Sequence, residues 1–190
     1  MKCSHCKRNN AILNLKYSGA LCKKCFLRLI EARVRKYARL NKIFKKNDRI
    51  LTIDPLSNFL VKKIIHRLPV KIHNKSVKLD NLEKIKDYTK KNKINKIIIP
   101  WTIDDECCYF LERLFLNKDK KRSKYISLLQ VMTDEEALLF AKFNKINFSP
   151  NKKNKEIKHI IDSMQKKYPE TKFSFVKSIE EMEKVLCFRH

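Results

Sequence analysis

Four of the first 25 residues are cysteines in two matched pairs: Cys3-x-x-Cys6, fifteen residues, then Cys22-x-x-Cys25. A two-residue gap lets both sulfurs of a pair reach one metal ion from a tight knuckle. Two knuckles together supply a closed tetrahedral S4 site, the arrangement structural zinc prefers. The fifteen residues between them fit a short two-stranded ribbon, and the spacing reads as a zinc module. Disulfides or unrelated core cysteines are the alternatives, and thiols so spaced in a reducing compartment bind metal. His5 sits inside the first knuckle and reads as a solvated loop histidine.

The only glycine, Gly19, falls inside this module, at the expected ribbon turn. No glycine remains for a phosphate-cradling loop, so GxGxxG and Walker A loops are excluded. The chain of 190 residues carries 45 Lys and Arg against 20 acids, a formal charge of +25. Thermal adaptation would raise Glu together with Lys. Here the acids have not kept pace, which points to a polyanionic partner, nucleic acid first and an anionic membrane surface second. No apolar run is long enough to span a bilayer. The cysteine module leaves no room for a signal peptide, so a cytoplasmic location is expected.

After Cys25 the spacing of Phe26, Ile30, Val34, Tyr37, Asn41 and Phe44 predicts a helix over 26–46. Arg28, Arg35, Arg39, Lys42 and Lys46 fall on another face. Residues 1–46 hold fourteen Lys and Arg and one acid, Glu31. A merely solvated face mixes signs to gain i,i+4 pairs; this one reads as a phosphate-tracking, RNA-binding surface.

From Asp48 the pattern becomes strand–helix alternation. Strands are expected at 49–53, 70–73, 96–99 and 125–132. Helices are expected at 57–68, 80–92, 104–117, 134–144, 154–167 and 179–186. The fold class is therefore α/β: an N-terminal zinc ribbon plus basic helix (1–47), then a Rossmann-like, doubly wound, mostly parallel sheet (48–190). Thr102-x-x-Asp105, Thr133-x-x-Glu136 and Ser178-x-x-Glu181 carry capping signals. Lys118 to Lys124 is the most basic internal loop.

Ligands of such sheets bind beyond the carboxyl ends of the strands. Two loops qualify: Ile53-Asp54-Pro55-Leu56-Ser57 and Pro100-Trp101-Thr102-Ile103-Asp104-Asp105-Glu106. The order of two knuckles, basic helix, strand–loop–helix, and a strand before an Asp-Asp-Glu helix start resembles the tRNA thiolation branch of the PP-loop ATP pyrophosphatases. Cys22-Lys-Lys-Cys25-Phe26 with Glu31 matches its first module. Ile103-Asp104-Asp105-Glu106 matches its "GHN-x-DD-E" segment, and Met164 to Pro169 with Lys177-Ser-Ile-Glu-Glu matches its C-terminal stretch.

The resemblance implies a tRNA substrate, ATP with Mg, and an iron–sulfur cluster or persulfide. The departures cut against the last three. Asp54-Pro55-Leu56-Ser57 replaces the Ser-Gly-Gly-x-Asp-Ser phosphate loop. Pro55 lacks a donor, and Asp54 puts a negative charge where pyrophosphate would sit. Pro100-Trp101-Thr102 replaces "GHN". No cysteine stands near Leu79 to Leu82 or at Ser149-Pro150, where the family places its cluster cysteines, so no iron–sulfur cluster is expected.

Two functions follow. The first is a non-catalytic, zinc-containing tRNA-binding homologue, alone, as a homodimer or as the degenerate subunit beside an active thiolation subunit. The second is an active adenylating enzyme with Asp54, Ser57, Asp104 and Asp105 around Mg-ATP and Cys107 or Cys108 as sulfur carrier. Asp104, Asp105 and Glu106 also suit a plain helix-dipole role. Trp101 suits either stacking on a base or sealing the vacated pocket. Cys187-x-x-His190 reads as a terminus rather than half a metal site, and His66, His73 and His159 show no partners. A third function, a zinc-ribbon DNA regulator, lacks a groove-reading helix.

Overall fold

The structure is a computed structural model and describes residues 1–15, 17–65, 68–77, 79, 83, 85–116 and 125–187, with side chains to 182. The expectations for His66, the 118–124 loop, His190, the side chain of Cys187 and most of the 79–82 stretch lie outside these residues.

The cysteine-bearing N-terminal segment forms the antiparallel pair β1 (Leu13–Leu15) and β2 (Gly19–Leu21). Gly19 has φ +69, and a Cβ there would lie 3.1 Å from Ser4 Oγ. The turn thus needs the left-handed backbone that glycine adopts freely, and the first knuckle needs the empty space. Helix α1 (Lys23–Leu40) follows.

Four strands form one sheet: β3 (Arg49–Thr52), β4 (Lys71–Asn74), β5 (Lys96–Ile99) and β6 (Ile126–Ser127). Their order is β4-β3-β5-β6 and all three pairings are parallel. Helices α2 (Pro55–Ile64), α3 (Lys86–Lys91), α4 (Ile103–Leu116) and α5 (Asp134–Phe143) follow β3 to β6 in turn. Then come α6 (Lys155–Lys167) and α7 (Thr171–Cys187). The chain winds outward from β3 to β4, then returns to β5 on the other side of β3. The topological switch point therefore lies between β3 and β5. Leu51, Ile53, Ile85 and Ile99 form the core under one sheet face, with Trp101 and Tyr125 packed against it. By strand alternation Ile50 and Thr52 point to the other face. Among the described residues no helix is long and apolar enough to cross a membrane.

Helix α1 stops six residues before the sequence pattern suggests. Lys42 takes a left-handed φ of 47. Ile43 N–H then reaches Ala38 O at 2.9 Å, and Lys42 N–H reaches Arg39 O at 3.1 Å. This is a Schellman cap with lysine where glycine is usual. The same cap recurs twice. Lys93 (φ 51) and Lys145 (φ 56) end α3 and α5, with Ile94 N–H to Thr89 O and Ile146 N–H to Ala141 O, both 2.9 Å. Each site reads Asn-Lys-Ile, and each asparagine Nδ2 donates back to the carbonyl four residues earlier, on Tyr37, Tyr88 and Phe140.

Other elements depart from expectation for local reasons. The strand expected over 125–132 is two residues of β6 followed by a 3-10 turn, Leu129–Val131. Leu129 N–H is taken by Ser127 Oγ at 3.1 Å, which bends the chain out of the ladder. Helix α7 starts eight residues early, and Ser178 lies inside it, bonded to Ser174 O, so it caps nothing. Thr133 and Glu136 do form the full capping box of α5.

The chain divides into two compact units. One is Met1–Cys25, Ile103–Lys121 and Asn151–His190; the other is Phe26–Thr102 and Arg122–Pro150. Most of α1 groups with the sheet: Phe26 meets Phe143 edge-on, Arg33 Nη1 donates to Glu136 Oε1 at 2.8 Å, and Tyr37 Oη donates to Gln130 Oε1 at 3.1 Å. The first unit has its own core of Ile103, Cys107, Cys108, Ile157, Ile161 and Val176, and Tyr17 of the ribbon turn packs edge-on against Phe173.

Candidate functional site

The Sγ atoms of Cys3, Cys6, Cys22 and Cys25 lie within 4.8 Å of one another, and those of Cys6 and Cys22 are 3.9 Å apart. Local structure delivers them. Lys7, at φ 57, folds the first knuckle back so that its N–H bonds Cys3 O, while Ser4 N–H bonds Ala20 O and ties the knuckle to β2. The second knuckle runs from the end of β2 into the first turn of α1. The N–H of Cys6 holds the Cys3 thiol down at about 6 against the opposing pull of burial. The amides of Asn9 and Arg8 lower Cys6, whereas burial pushes Cys25 up to about 12. Four sulfurs gathered so closely fit a metal ion, whose charge would hold all four as thiolates. His5 is exposed in the knuckle.

At the switch point, Asp54 is the N-cap of α2. Its Oδ1 accepts the Ser57 N–H at 2.8 Å, and Pro55 occupies the first helical position. The helix end that would face a phosphate is thus occupied by a carboxylate of the chain itself. Asp54 is 9% exposed, and burial raises its carboxyl above the ordinary range. Asp54 Oδ2 and Ser57 Oγ are buried without a hydrogen-bond partner. After β5, Trp101 packs on the core beneath the sheet, Ser127 Oγ donates to Trp101 O, and Thr102 Oγ1 donates to Asp134 Oδ1 at 2.7 Å.

The three acids that open α4 are buried. Asp104 receives Lys172 Nζ at 2.5 Å; Asp105 receives Lys153 Nζ at 2.7 Å and Asn151 Nδ2 at 2.9 Å. Lys172 also reaches Asp162 at 2.6 Å. Burial alone would lower the Lys172 pKa, but Asp104 and Asp162 outweigh it and raise it. Neither lysine was legible as a partner: they lie 48 and 68 residues beyond their acids, and only the apolar neighbours of Lys172, Phe173 and Val176, hint that its helix face is buried. Cys107 and Cys108 belong to the apolar core of this unit. Burial first, then the nearby acids, pushes the Cys107 thiol far up, and burial pushes Cys108 to about 12. Such thiols are inert at neutral pH.

Arg28, Arg35, Arg39, Lys42 and Lys46 are all exposed. On α1 the first three recur at i, i+7 and i+11, one face of the helix. Glu31, on the same helix, is taken by Lys63 at 2.5 Å and Arg35 at 3.4 Å. His73 has a partner after all: its Nδ1 lies 3.1 Å from Tyr88 Oη.

Comparison with protein-family profiles and with curated protein sequences finds no match. Comparison with solved structures does. The chain is similar to the U34-tRNA thiolase NcsA from Methanococcus maripaludis, solved with its [4Fe-4S] cluster, at a TM-score of 0.74 and 16% identity over 96% of this chain and 88% of that one. At that identity the likeness is one of fold, and it is the fold that the resemblance to the thiolation branch implies.

Proposed function

We propose that the protein is a zinc-containing tRNA-binding relative of tRNA thiolation enzymes that no longer activates a nucleotide. The fold shared with a tRNA thiolase supports the choice of tRNA. The observation that carries the loss of activity is the start of α2. Asp54 takes the Ser57 N–H, Pro55 offers none, and a triphosphate brought there would meet a carboxylate. The pairing of Asp104 with Lys172 and of Asp105 with Lys153 supports the same reading, since carboxylates so engaged are not free to ligate Mg.

Residues 1–47 act as the RNA-holding module, with Arg28, Arg35, Arg39, Lys42 and Lys46 on phosphates. Cys3, Cys6, Cys22 and Cys25 hold one zinc ion. A Zn–S length of about 2.3 Å puts tetrahedral sulfurs about 3.8 Å apart, which suits a Cys6–Cys22 separation of 3.9 Å. A four-iron cluster would bind each thiolate to a different iron and spread the sulfurs wider. The protein works in the cytoplasm, as a homodimer or beside an active thiolation subunit.

Gel shifts against tRNA at rising salt test the binding: affinity falls steeply with salt if phosphates dominate, and absent or salt-insensitive binding refutes the proposal. Titration calorimetry with Mg-ATP tests the loss of activity. The second reading, an active adenylating enzyme, draws on the unpartnered Asp54 Oδ2 and Ser57 Oγ at the switch point. Micromolar ATP binding with pyrophosphate release on adding tRNA would establish it instead.

A further inference from the structure

We infer that the amino edge of the four-stranded sheet, the side opposite the switch point, is a second RNA surface that grips the phosphate backbone. The inference rests on the tRNA-binding reading above and extends the surface from Lys42 and Lys46, which it shares with the basic module, to Lys45, Lys71, Lys91 and Lys93.

Backbone bonds fix which residues share this edge. Lys71 N–H donates to Asp48 O and Asn47 N–H to Pro69 O, each at 2.9 Å, joining the starts of β3 and β4. Asn95 N–H donates to Arg49 O at 3.0 Å, and Arg49 Nη1 donates to Asn92 O at 3.1 Å, joining the end of α3 and the start of β5. Lys96 Nζ bonds Ile43 O and reaches Asp48 at 2.7 Å, tying in the segment after α1.

Six exposed lysines stand on these connections: Lys42, Lys45, Lys46, Lys71, Lys91 and Lys93. The acid among them, Asp48, is 4% exposed and engaged by Lys96 and Asn95. Two of the six sit at left-handed cap positions that hold them just past a helix end, where the negative end of the dipole offsets their mutual repulsion.

The contrast with the rest of the surface makes this more than the general excess of lysine. On α6 and α7 the cations alternate with Glu156, Asp162, Glu180 and Glu181. At the sheet edge, among the described residues, the exposed acid that comes near the six is Asp87, one turn before Lys91 on α3. Lysine presents a compact charge without arginine's planar fork, which suits phosphate positioning rather than base reading. A membrane-docking face would add exposed aromatic anchors. The large apolar residues exposed nearby are Leu40 and Leu68, neither aromatic.

The test compares two full-length triple variants with the unaltered protein: Lys71→Gln/Lys91→Gln/Lys93→Gln on the edge and Arg28→Gln/Arg35→Gln/Arg39→Gln on α1. Fluorescence anisotropy with tRNA from 50 to 200 mM salt gives affinity and salt slope. Urea melts confirm that each variant folds. The edge variant should lose at least about tenfold in affinity, and its log–log salt slope should shrink by roughly 2 to 3. An edge variant that keeps wild-type affinity and slope overturns the inference while the tRNA-binding reading stands. Loss of binding to phosphatidylserine vesicles with tRNA binding intact assigns the edge to membrane and also overturns it. Wild-type protein that ignores tRNA altogether removes the reading on which it rests.

Discussion

Replacing Lys42, Lys93 and Lys145 by glycine should stabilise the sheet-bearing unit. Each lysine is held at φ 47 to 56 by a Schellman cap, a conformation that crowds a side chain's Cβ. Relief of that crowding is worth about 1–2 kcal/mol. Against it stand the wider freedom of glycine in the unfolded chain, about 0.5–1 kcal/mol, and the lost attraction to the helix end, about 0.3 kcal/mol. The net is about 0.5 kcal/mol per site, or about 1.5 kcal/mol for the triple variant if the sites are independent. For a chain of this size that corresponds to a rise in Tm of roughly 3–6 °C. Urea melts followed by circular dichroism measure it. Lys142→Gly, inside α5, is the control and should cost about 1 kcal/mol. A triple variant no more stable than wild type, with the control behaving as stated, would refute the reasoning about caps. The same triple variant should bind tRNA more weakly, since it removes Lys42 and Lys93 from the sheet edge.

Cobalt added to chelator-treated protein should give the absorption of tetrahedral cobalt thiolate at one equivalent, and Cys22→Ser should abolish it; a multi-metal stoichiometry would contradict the single-ion site. Lys172→Met removes the ammonium that neutralises the buried Asp104, and should cost about 3–5 kcal/mol by chemical denaturation. Because the folded Lys172 pKa is raised, its stabilisation is complete below the unfolded lysine value of about 10.4 and disappears as pH climbs through the folded value. At the acid end, burial pushes Asp48 up, but Lys96, the Lys45 amide and Asn95 together bring it below the ordinary range. Its contribution is therefore present above about pH 4 and lost as pH falls through the lower folded value; Asp48→Asn should flatten that part of a pH–stability curve.

The sequence was most legible where one local signal decides the outcome. Lys96–Ile99 is the strand the apolar run indicates, Thr133 and Glu136 form the capping box their spacing suggests, and the two knuckles bring four sulfurs together. It was least legible where the deciding partner is remote or the usual residue is replaced. The end of α1 was hidden because lysine stands where glycine ordinarily marks a cap. The state of Asp104 and Asp105 depends on Lys172 and Lys153, which no spacing rule connects to them. Trp101 allows two readings from the sequence, and the structure places it, like Tyr125, against the core beneath the sheet.

A chain with Gly19 as its sole glycine also has an unusual denatured ensemble. An average composition would include roughly 7% glycine. Each glycine exchanged for a bulkier residue at a compatible site narrows the disordered chain's choices by about 0.4–1 kcal/mol. Over a dozen such positions the effect is on the order of several kcal/mol, comparable with the net stability of an ordinary domain. A polypeptide that must hold a charge of +25 in a compact shape works against its own electrostatic swelling. Restricting how many ways it can be disordered is one means of keeping it folded when no polyanion is bound.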